Sequence, residues 1–507
     1  MTAGARPVRS VDPRTGDSNA TDLLPTGAAE VAERCARAGA ASAELERIGP
    51  AGRAALLRAM ADGLELARDE VVTTADRETA LGRARLDGEL IRTAYQLRFF
   101  AEVVEDGAYL EAAIDHPGDT PMGPRPDLRR MLVPTGPVAV FGASNFPLAF
   151  SVPGGATAAA LAAGCAVVVK AHGSHPLTSA LCGRILADAA TRAGAPEGTI
   201  SVVFGREAGT ALVSDPAITA VSFTGGHSGA SALRALIARR PDPIPFYGEL
   251  GSVNPLVVTA AGAAERAAEI GRDLVGSFTL GGGQFCTKPG LVLVPAGPDG
   301  DRLVDAAGEA LAAVPAPALL NAGIAESFAS GVKALEGRRL ITSGAEPARG
   351  FEVRPTAVLV DADELDAALL EELFGPVAVL VRYAPEQLAG VLDRLPGSLV
   401  ATVHGGAGAD PERDRAVEVL RGRAGRLLFN GYPTGVAVSW AQHHGGPWPA
   451  TDTQHTSVGA TAIRRFLRPV AWQNAPQASL PPELRDGPSP VPRRVDGTAV
   501  PPARATA

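Results

Sequence analysis

Residues 138–170 read VAVFGASNFPLAFSVPGGATAAALAAGCAVVVK, from Val138 to Lys170. Val138–Phe141 is a run of β-branched and aromatic residues and predicts a strand. Val152–Ala163 is rich in alanine and predicts a helix. Ala166–Lys170 returns to valine and predicts a second strand. Two strands joined by a helix imply a parallel pair, because only a crossover connection can bring the chain back in the same direction. Met131 to Val169 carries no charged residue, so its length alone would suit a bilayer span. Pro134, Gly136, Pro137, Gly142, Pro147, Pro153, Gly154 and Gly155 interrupt it, and a buried part of a globular domain is the better reading.

The alternation continues outward. Leu177–Ala193 predicts a helix, Ile200–Phe204 a strand, Glu207–Val213 a short helix, Ile218–Phe223 a strand and Ser231–Arg239 a helix. From about Gly251 it restarts, with strands expected at Pro255–Val258, Leu291–Val294, Thr356–Val360, Val377–Val381, Ser398–Val403 and Arg426–Phe429. Upstream, residues 28–47, 50–75 and 86–113 predict helices, and Arg129–Val133 a strand. The fold class is therefore α/β, with two parallel sheets. The last stretch, 476–507, is dense in proline and shows no apolar period, so a disordered tail is expected.

The chain has 507 residues, a net charge of −8 and 4 cysteines. That length supports several domains and a large core. The acidic balance favours neither nucleic acid nor an anionic membrane surface. The polar start, without an apolar leader, and the scarcity of cysteine point to the cytoplasm and to reduced thiols.

Each cysteine then needs its own explanation. Cys35, Cys165 and Cys182 sit in apolar helix or strand surroundings and read as packing residues. Cys286 differs, because Gly281-Gly282-Gly283-Gln284-Phe285 precedes it. Three glycines leave backbone N–H groups and a substrate free to approach the sulfur. A thiolate there is a nucleophile, with a pKa open to lowering by its surroundings. Glu249, between Gly248 and Leu250, reads either as a turn cap or as a desolvated general base with a raised pKa. Asn145 follows the strand Val138–Phe141, where its amide can meet a developing oxyanion or simply close a turn. Lys170 at a strand end and Phe223-Thr224-Gly225-Gly226 before a helix suit ribose and pyrophosphate. Neither forms the GxGxxG pattern, and no serine stands in GxSxG. His443-His444 lacks a chelating spacing, and no catalytic metal is expected.

Taken in order, Ser144-Asn145-Phe146-Pro147, Lys170, Phe223-Thr224-Gly225-Gly226, Glu249-Leu250-Gly251, Gly283-Gln284-Phe285-Cys286 and Glu371-Glu372-Leu373-Phe374-Gly375-Pro376 resemble the aldehyde dehydrogenase superfamily. The resemblance implies that Cys286 attacks the aldehyde and that Asn145 and the Cys286 N–H hold the oxyanion. It also implies that Glu249 activates the water that releases the acid. It places Lys170 and Glu372 on ribose hydroxyls, Phe374 beside the nicotinamide ribose, and Gly225 and Gly226 at the pyrophosphate. Phe429–Val436, His444–Thr451, Thr456–Gly459 and Arg465–Val470 look like the branch holding 2,5-dioxovalerate (α-ketoglutarate semialdehyde) and NADP-dependent fatty aldehyde dehydrogenases. Long-chain or aromatic aldehydes thus stay open as substrates. A CoA-acylating enzyme would not need Glu249, and a non-catalytic relative would not need the whole set.

NAD-preferring relatives typically carry a Glu three residues after the strand-end lysine, and it repels a 2′-phosphate. Here that residue is Gly173, so NADP is the expected cofactor, with NAD possible; His172 and Arg206 are candidate contacts to the phosphate. The resemblance further implies a Rossmann-like cofactor domain (residues 1–116 and 137–250) and an α/β catalytic domain (251–463). A small β oligomerisation element (117–136 and 464–475) would give a homodimer or homotetramer.

Overall fold

The computed structural model describes residues 6–433 and 435–503. Residues 1–5 and 504–507, the outer ends of the expected first domain and tail, lie outside the described residues, as does residue 434 of the Phe429–Val436 motif.

The first sheet has five parallel strands in the order Phe246–Glu249, Ala220–Thr224, Val138–Phe141, Val167–Lys170, Ile200–Val203. In chain order this is the doubly wound arrangement, whose strand order reverses between Val138–Phe141 and Ala220–Thr224. Val138–Val140 and Val167–Val169 are buried along their whole length, so both faces of the sheet are covered. Helices Gly155–Ala163 and Arg206–Ser214 pack on these two central strands, and Gly49–Leu66 packs between Arg83–Asp106 and Pro176–Arg192. The helix expected over 50–75 is two helices, Gly49–Leu66 and Arg68–Thr79, broken at Ala67.

The second sheet has seven strands: Arg339–Thr342, Thr356–Asp361, Val377–Tyr383, Leu291–Pro295, Pro255–Val258, Ala401–His404 and Leu427–Phe429. Only Arg339–Thr342 runs antiparallel, at an edge where a hairpin-like return is possible. Alternation of side chains splits its core in two. Val257, Leu291, Leu293, Val358, Val379 and Val403 belong to one cluster, and Leu256, Val258, Val292, Val294, Leu359 and Leu380 to the other.

Two expectations are corrected. Residues 436–463, assigned to the catalytic domain, return to the first core through Val436, Val438, Val458, Ala462 and Ile463. Residues 476–503, expected to be disordered, are packed. Arg493–Val495 and Thr498–Val500 extend a third sheet, ordered Leu467–Gln473, Leu128–Pro134, Ala113–Asp115, Arg493–Val495, Thr498–Val500. Leu480 and Leu484 are buried with Ile114, Met131 and Val133, and the buried Arg129 guanidinium donates to the Leu484 carbonyl at 2.6 Å. A few apolar residues suffice because the sheet edge and a cation already present supply their partners.

Candidate active site

The strand-order reversal opens a crevice at the carboxyl ends of Val138–Phe141 and Ala220–Thr224. Asn145 leaves the first strand there, and Gly225 and Gly226 leave the second. A cavity of about 300 Å³ at this point is lined by Asn145, His172, Thr224, Gly225, Gly226, Glu249, Gly251, Cys286, Glu372 and Phe374, among others. Residues from both sheets thus meet in one space.

Cys286 is brought in by a helix that ends at Thr279 and a glycine turn. Gly281, Gly282 and Gly283 all have positive φ. A Cβ on Gly283 would stand 2.2 Å from the Gly375 carbonyl oxygen, so only glycine lets the cysteine loop lie against the Phe374-Gly375-Pro376 turn. Asn254, itself at φ 49°, donates to the Cys286 carbonyl at 2.8 Å and to the Lys288 carbonyl at 2.9 Å. Asn145 donates to the Gln284 carbonyl at 2.8 Å, which ties its amide to the same loop.

Glu249 ends the strand Phe246–Glu249, which the alternation of residues did not reveal. It is buried. His444 Nε2 lies 3.0 Å from its Oε1, and the Ser457 hydroxyl donates to its Oε2 at 2.5 Å. His444 Nε2 is also 3.5 Å from Cys286 Sγ. Ligand-capable atoms of Glu249, Cys286 and His444 fall within 4.8 Å of one another, a grouping that chain spacing could not show.

The electrostatics correct one expectation, the raised pKa of Glu249. Burial pushes the Glu249 carboxyl up, but the His444 charge and hydrogen bonds from His444, Ser457 and the Cys286 thiol outweigh it and hold the carboxyl below its ordinary range. It is a ready carboxylate, not a raised-pKa base. For Cys286, burial, Glu249 and Glu372 push the thiol well above its ordinary value, with Arg426 opposing. The resting sulfur is a thiol. Cys35 and Cys182 are pushed up to about 12 by burial, and burial raises Cys165 too, which suits packing residues.

The cofactor candidates separate. His172, Gly225, Gly226, Glu372 and Phe374 line the cavity, whereas Lys170, Gly173 and Arg206 do not. Lys170 lies against the helix Arg206–Ser214, where a Cβ on Gly209 would be 3.5 Å from its Cγ. Arg206, at the start of that helix, is exposed. Burial, with His175 and Lys170 beside it, drives the His172 pKa well down, so it offers a neutral ring. Burial raises Glu372, with Lys288 opposing and a hydrogen bond from the Ser252 N–H. The residues fit a dinucleotide. Gly226 caps the helix His227–Ile237 without a side chain, and a Cβ there would meet nothing within 4 Å. First-turn N–H groups are thereby left to a phosphate. A Cβ on Gly251 would stand 2.8 Å from Glu372 Oε2, so this glycine clears the approach to that carboxylate.

The aldehyde dehydrogenase family matches residues 1–447. The chain belongs to that family. It is an oxidoreductase acting on aldehydes, with a nicotinamide dinucleotide as the family's cofactor. An aldehyde dehydrogenase relative, alpha-ketoglutaric semialdehyde dehydrogenase 2 of Azospirillum brasilense, is 45% identical over 98% of this chain and 97% of its own. Alpha-ketoglutaric semialdehyde dehydrogenase of Acinetobacter baylyi is 41% identical over 94% of each. The aldehyde dehydrogenase fold recurs in aldehyde dehydrogenase C of Pseudomonas syringae, solved as a mutant with NAD+ and octanal. That structure gives a TM-score of 0.78 at 21% identity over 95% of both chains.

Three residues of this aldehyde dehydrogenase site went unassigned in the sequence. His444 opens the His-Gly-Gly-Pro run, which served only as a branch marker. Ser457 lies inside the Thr456–Gly459 stretch, and Asn254 just before the strand Pro255–Val258. Nothing in their local pattern shows that they converge on Glu249 and Cys286.

Proposed function

We propose that this enzyme oxidises α-ketoglutarate semialdehyde to the dicarboxylic acid, with NADP as its preferred cofactor. One observation carries the reading: Cys286, Glu249 and Asn145 line the cavity that the Gly225–Gly226 helix start also faces. The substrate follows the names of the relatives at 45% and 41% identity. Cys286 is the nucleophile. Its proton leaves by way of Glu249 to solvent, with His444 alongside at 3.0 Å, so that Glu249 is again a carboxylate, and the sulfur adds to the aldehyde carbon as a thiohemiacetal. Asn145 and the Cys286 N–H hold the oxyanion. The oxidised nicotinamide, when bound, supplies the hydride acceptor. The thioester left on Cys286 is hydrolysed by water that Glu249 deprotonates, and His444 and Ser457 fix the carboxylate for that task.

Lys170 and Glu372 are assigned to ribose hydroxyls, Phe374 to the nicotinamide ribose side, and Gly225 and Gly226 to the pyrophosphate. The open space at Gly173, where a Cβ would meet nothing within 4 Å, admits a 2′-phosphate. Arg206 is its cationic partner and His172 a neutral one. The strand Leu467–Gln473, an edge of the third sheet with its middle exposed, is the surface through which a homodimer or homotetramer assembles. No described helix is long and apolar enough to cross a membrane; a free thiol as nucleophile suits a reducing cytoplasm. The test is product analysis with α-ketoglutarate semialdehyde and each dinucleotide. Release of α-ketoglutarate, faster with NADP and lost in Cys286→Ala, is expected. Acyl-CoA formation, or an active Cys286→Ala enzyme, overturns the reading.

A further inference from the structure

A second and much smaller cavity also touches Glu249, but Cys286 does not line it. It holds about 10 Å³, and Tyr247, Glu249, Thr453, His444, Ser457 and Arg465 are among its walls. Arg465 is the one Arg or Lys in that lining. Strand register explains how it arrives there. Tyr247 and Glu249 are two residues apart on one strand and face the same side of the sheet, with Ser222 and Thr224 as their partners on the next strand. Arg465, from the stretch Ala460–Phe466, reaches that side. Its Nη1 donates to Ser222 Oγ at 3.2 Å and its Nε to the Ala462 carbonyl at 3.2 Å. Its guanidinium carbon stands 4.9 Å from the centre of the Phe466 ring, which meets Tyr247 edge-on.

This cation is incompletely matched. Arg465 is 3% exposed. Its Nη2 is a buried donor without a partner, and among the described residues the ion pair of Glu249 is to His444, not to Arg465. A buried guanidinium is costly unless its donors are completed. Glu249 has room to help. Its two oxygens accept from His444 and Ser457, and each carboxylate oxygen can accept a further bond. A cavity of this size takes one water, and its polar walls supply the partners that a buried water requires.

We propose that Arg465 is a positioning residue for the general base: through one water held in the small cavity, it keeps Glu249 oriented and ionised. The inference rests on the reading of Glu249 as the base and adds the cation behind it. From the main cavity, Cys286, His172 and Glu372 also face Glu249. From the small one come Tyr247, His444 and His455, while Asp452 accepts from the adjacent Gly248 N–H. Burial raises Cys286 and Tyr247 and lowers His172 and His455, so these four stay neutral. Burial pushes Arg465 down only to about 10, which leaves it charged wherever a carboxyl titrates.

The experiment measures kcat against pH, with α-ketoglutarate semialdehyde and NADP, for the wild type, Arg465→Gln, Arg465→Lys and Glu249→Gln. Loss of a positive charge disfavours the carboxylate, so the acid limb of Arg465→Gln should move to higher pH by about one unit. On that limb kcat should fall roughly tenfold, with little change in the KM for aldehyde. Arg465→Lys keeps the charge and should restore most of the limb. Melting temperatures report folding, and a high-resolution crystal structure of the wild type should show a water bonded to both Arg465 and Glu249. A loss equal at every pH, the same shift in the Lys and Gln variants, or a cavity without that water overturns the role of Arg465. If Arg465→Gln does not fold, the wild-type water decides. A Glu249→Gln enzyme that keeps the wild-type rate and acid limb overturns instead the base reading beneath the proposal.

Discussion

His444 Nε2 stands 3.0 Å from Glu249 Oε1, although the two residues are 195 positions apart in the chain. The same nitrogen is 3.5 Å from Cys286 Sγ. In the proposed mechanism His444 therefore touches both the thiol that loses a proton and the carboxylate that relays it. His444→Ala is expected to lower kcat about 100-fold, the lower range for a positioned acid–base group, with a smaller change in KM. Steady-state kinetics check this, and an unchanged kcat would reduce the imidazole to a space-filler.

The thiol itself makes a pH prediction. Burial, Glu249 and Glu372 push Cys286 well above its ordinary pKa. A raised thiol pKa means that the thiolate is scarce at neutrality and grows only as pH climbs past the usual value near ~8.5. Inactivation of the dinucleotide-free enzyme by iodoacetamide should thus keep accelerating above about pH 9. Rates measured across the alkaline range test it; a plateau reached by neutral pH contradicts the raised thiol. Added NADP should change the rate.

In the proposed reading, cofactor choice turns on one open position. Nothing lies within 4 Å of a Cβ on Gly173, so Gly173→Glu adds a carboxylate without a clash. Its charge would repel a 2′-phosphate, and kcat/KM with NADP should fall roughly tenfold or more relative to NAD. Comparing the two dinucleotides in both proteins decides the matter.

Gly283 is a structural hinge of the site. Gly283→Ala would put a Cβ 2.2 Å from the Gly375 oxygen at φ 67°. A cost of about 2–4 kcal/mol is expected, as for other clashes at a special backbone conformation. Denaturant unfolding measures it, and the cysteine loop should lose activity along with stability.

The C-terminal stretch gives a test of packing. Leu484 is fully buried beside Ile114 and Met131. Leu484→Ala should destabilise the protein by about 2–5 kcal/mol, the usual cost of emptying a core leucine site. A melting temperature equal to that of the wild type would show that the stretch is loose after all.

Much of the fold was legible in local pattern. Val138–Phe141, Pro255–Val258 and the glycine-flanked Cys286 each carry their signal in neighbouring residues, because a strand's burial and a turn's φ are local demands. Phe246–Glu249 was not legible: Phe246 and Tyr247 are only half-buried and Gly248 breaks the run, so the strand exists by pairing with Ala220–Thr224. The packed stretch 476–503 was hidden for a similar reason, since its few leucines form no period of their own.

The sequence by itself determined an α/β chain whose two main sheets are built on parallel strands; glycine context singled out Cys286, and the family resemblance added Glu249 and Asn145. Only the tertiary structure decided what surrounds them. It returned residues 436–463 to the first core and so carried His444 to Glu249, which lowers that carboxyl, while burial and neighbouring carboxylates raise the Cys286 thiol. Those properties depend on burial and on charges from distant segments, and Coulombic fields and desolvation follow distance in space, not in sequence.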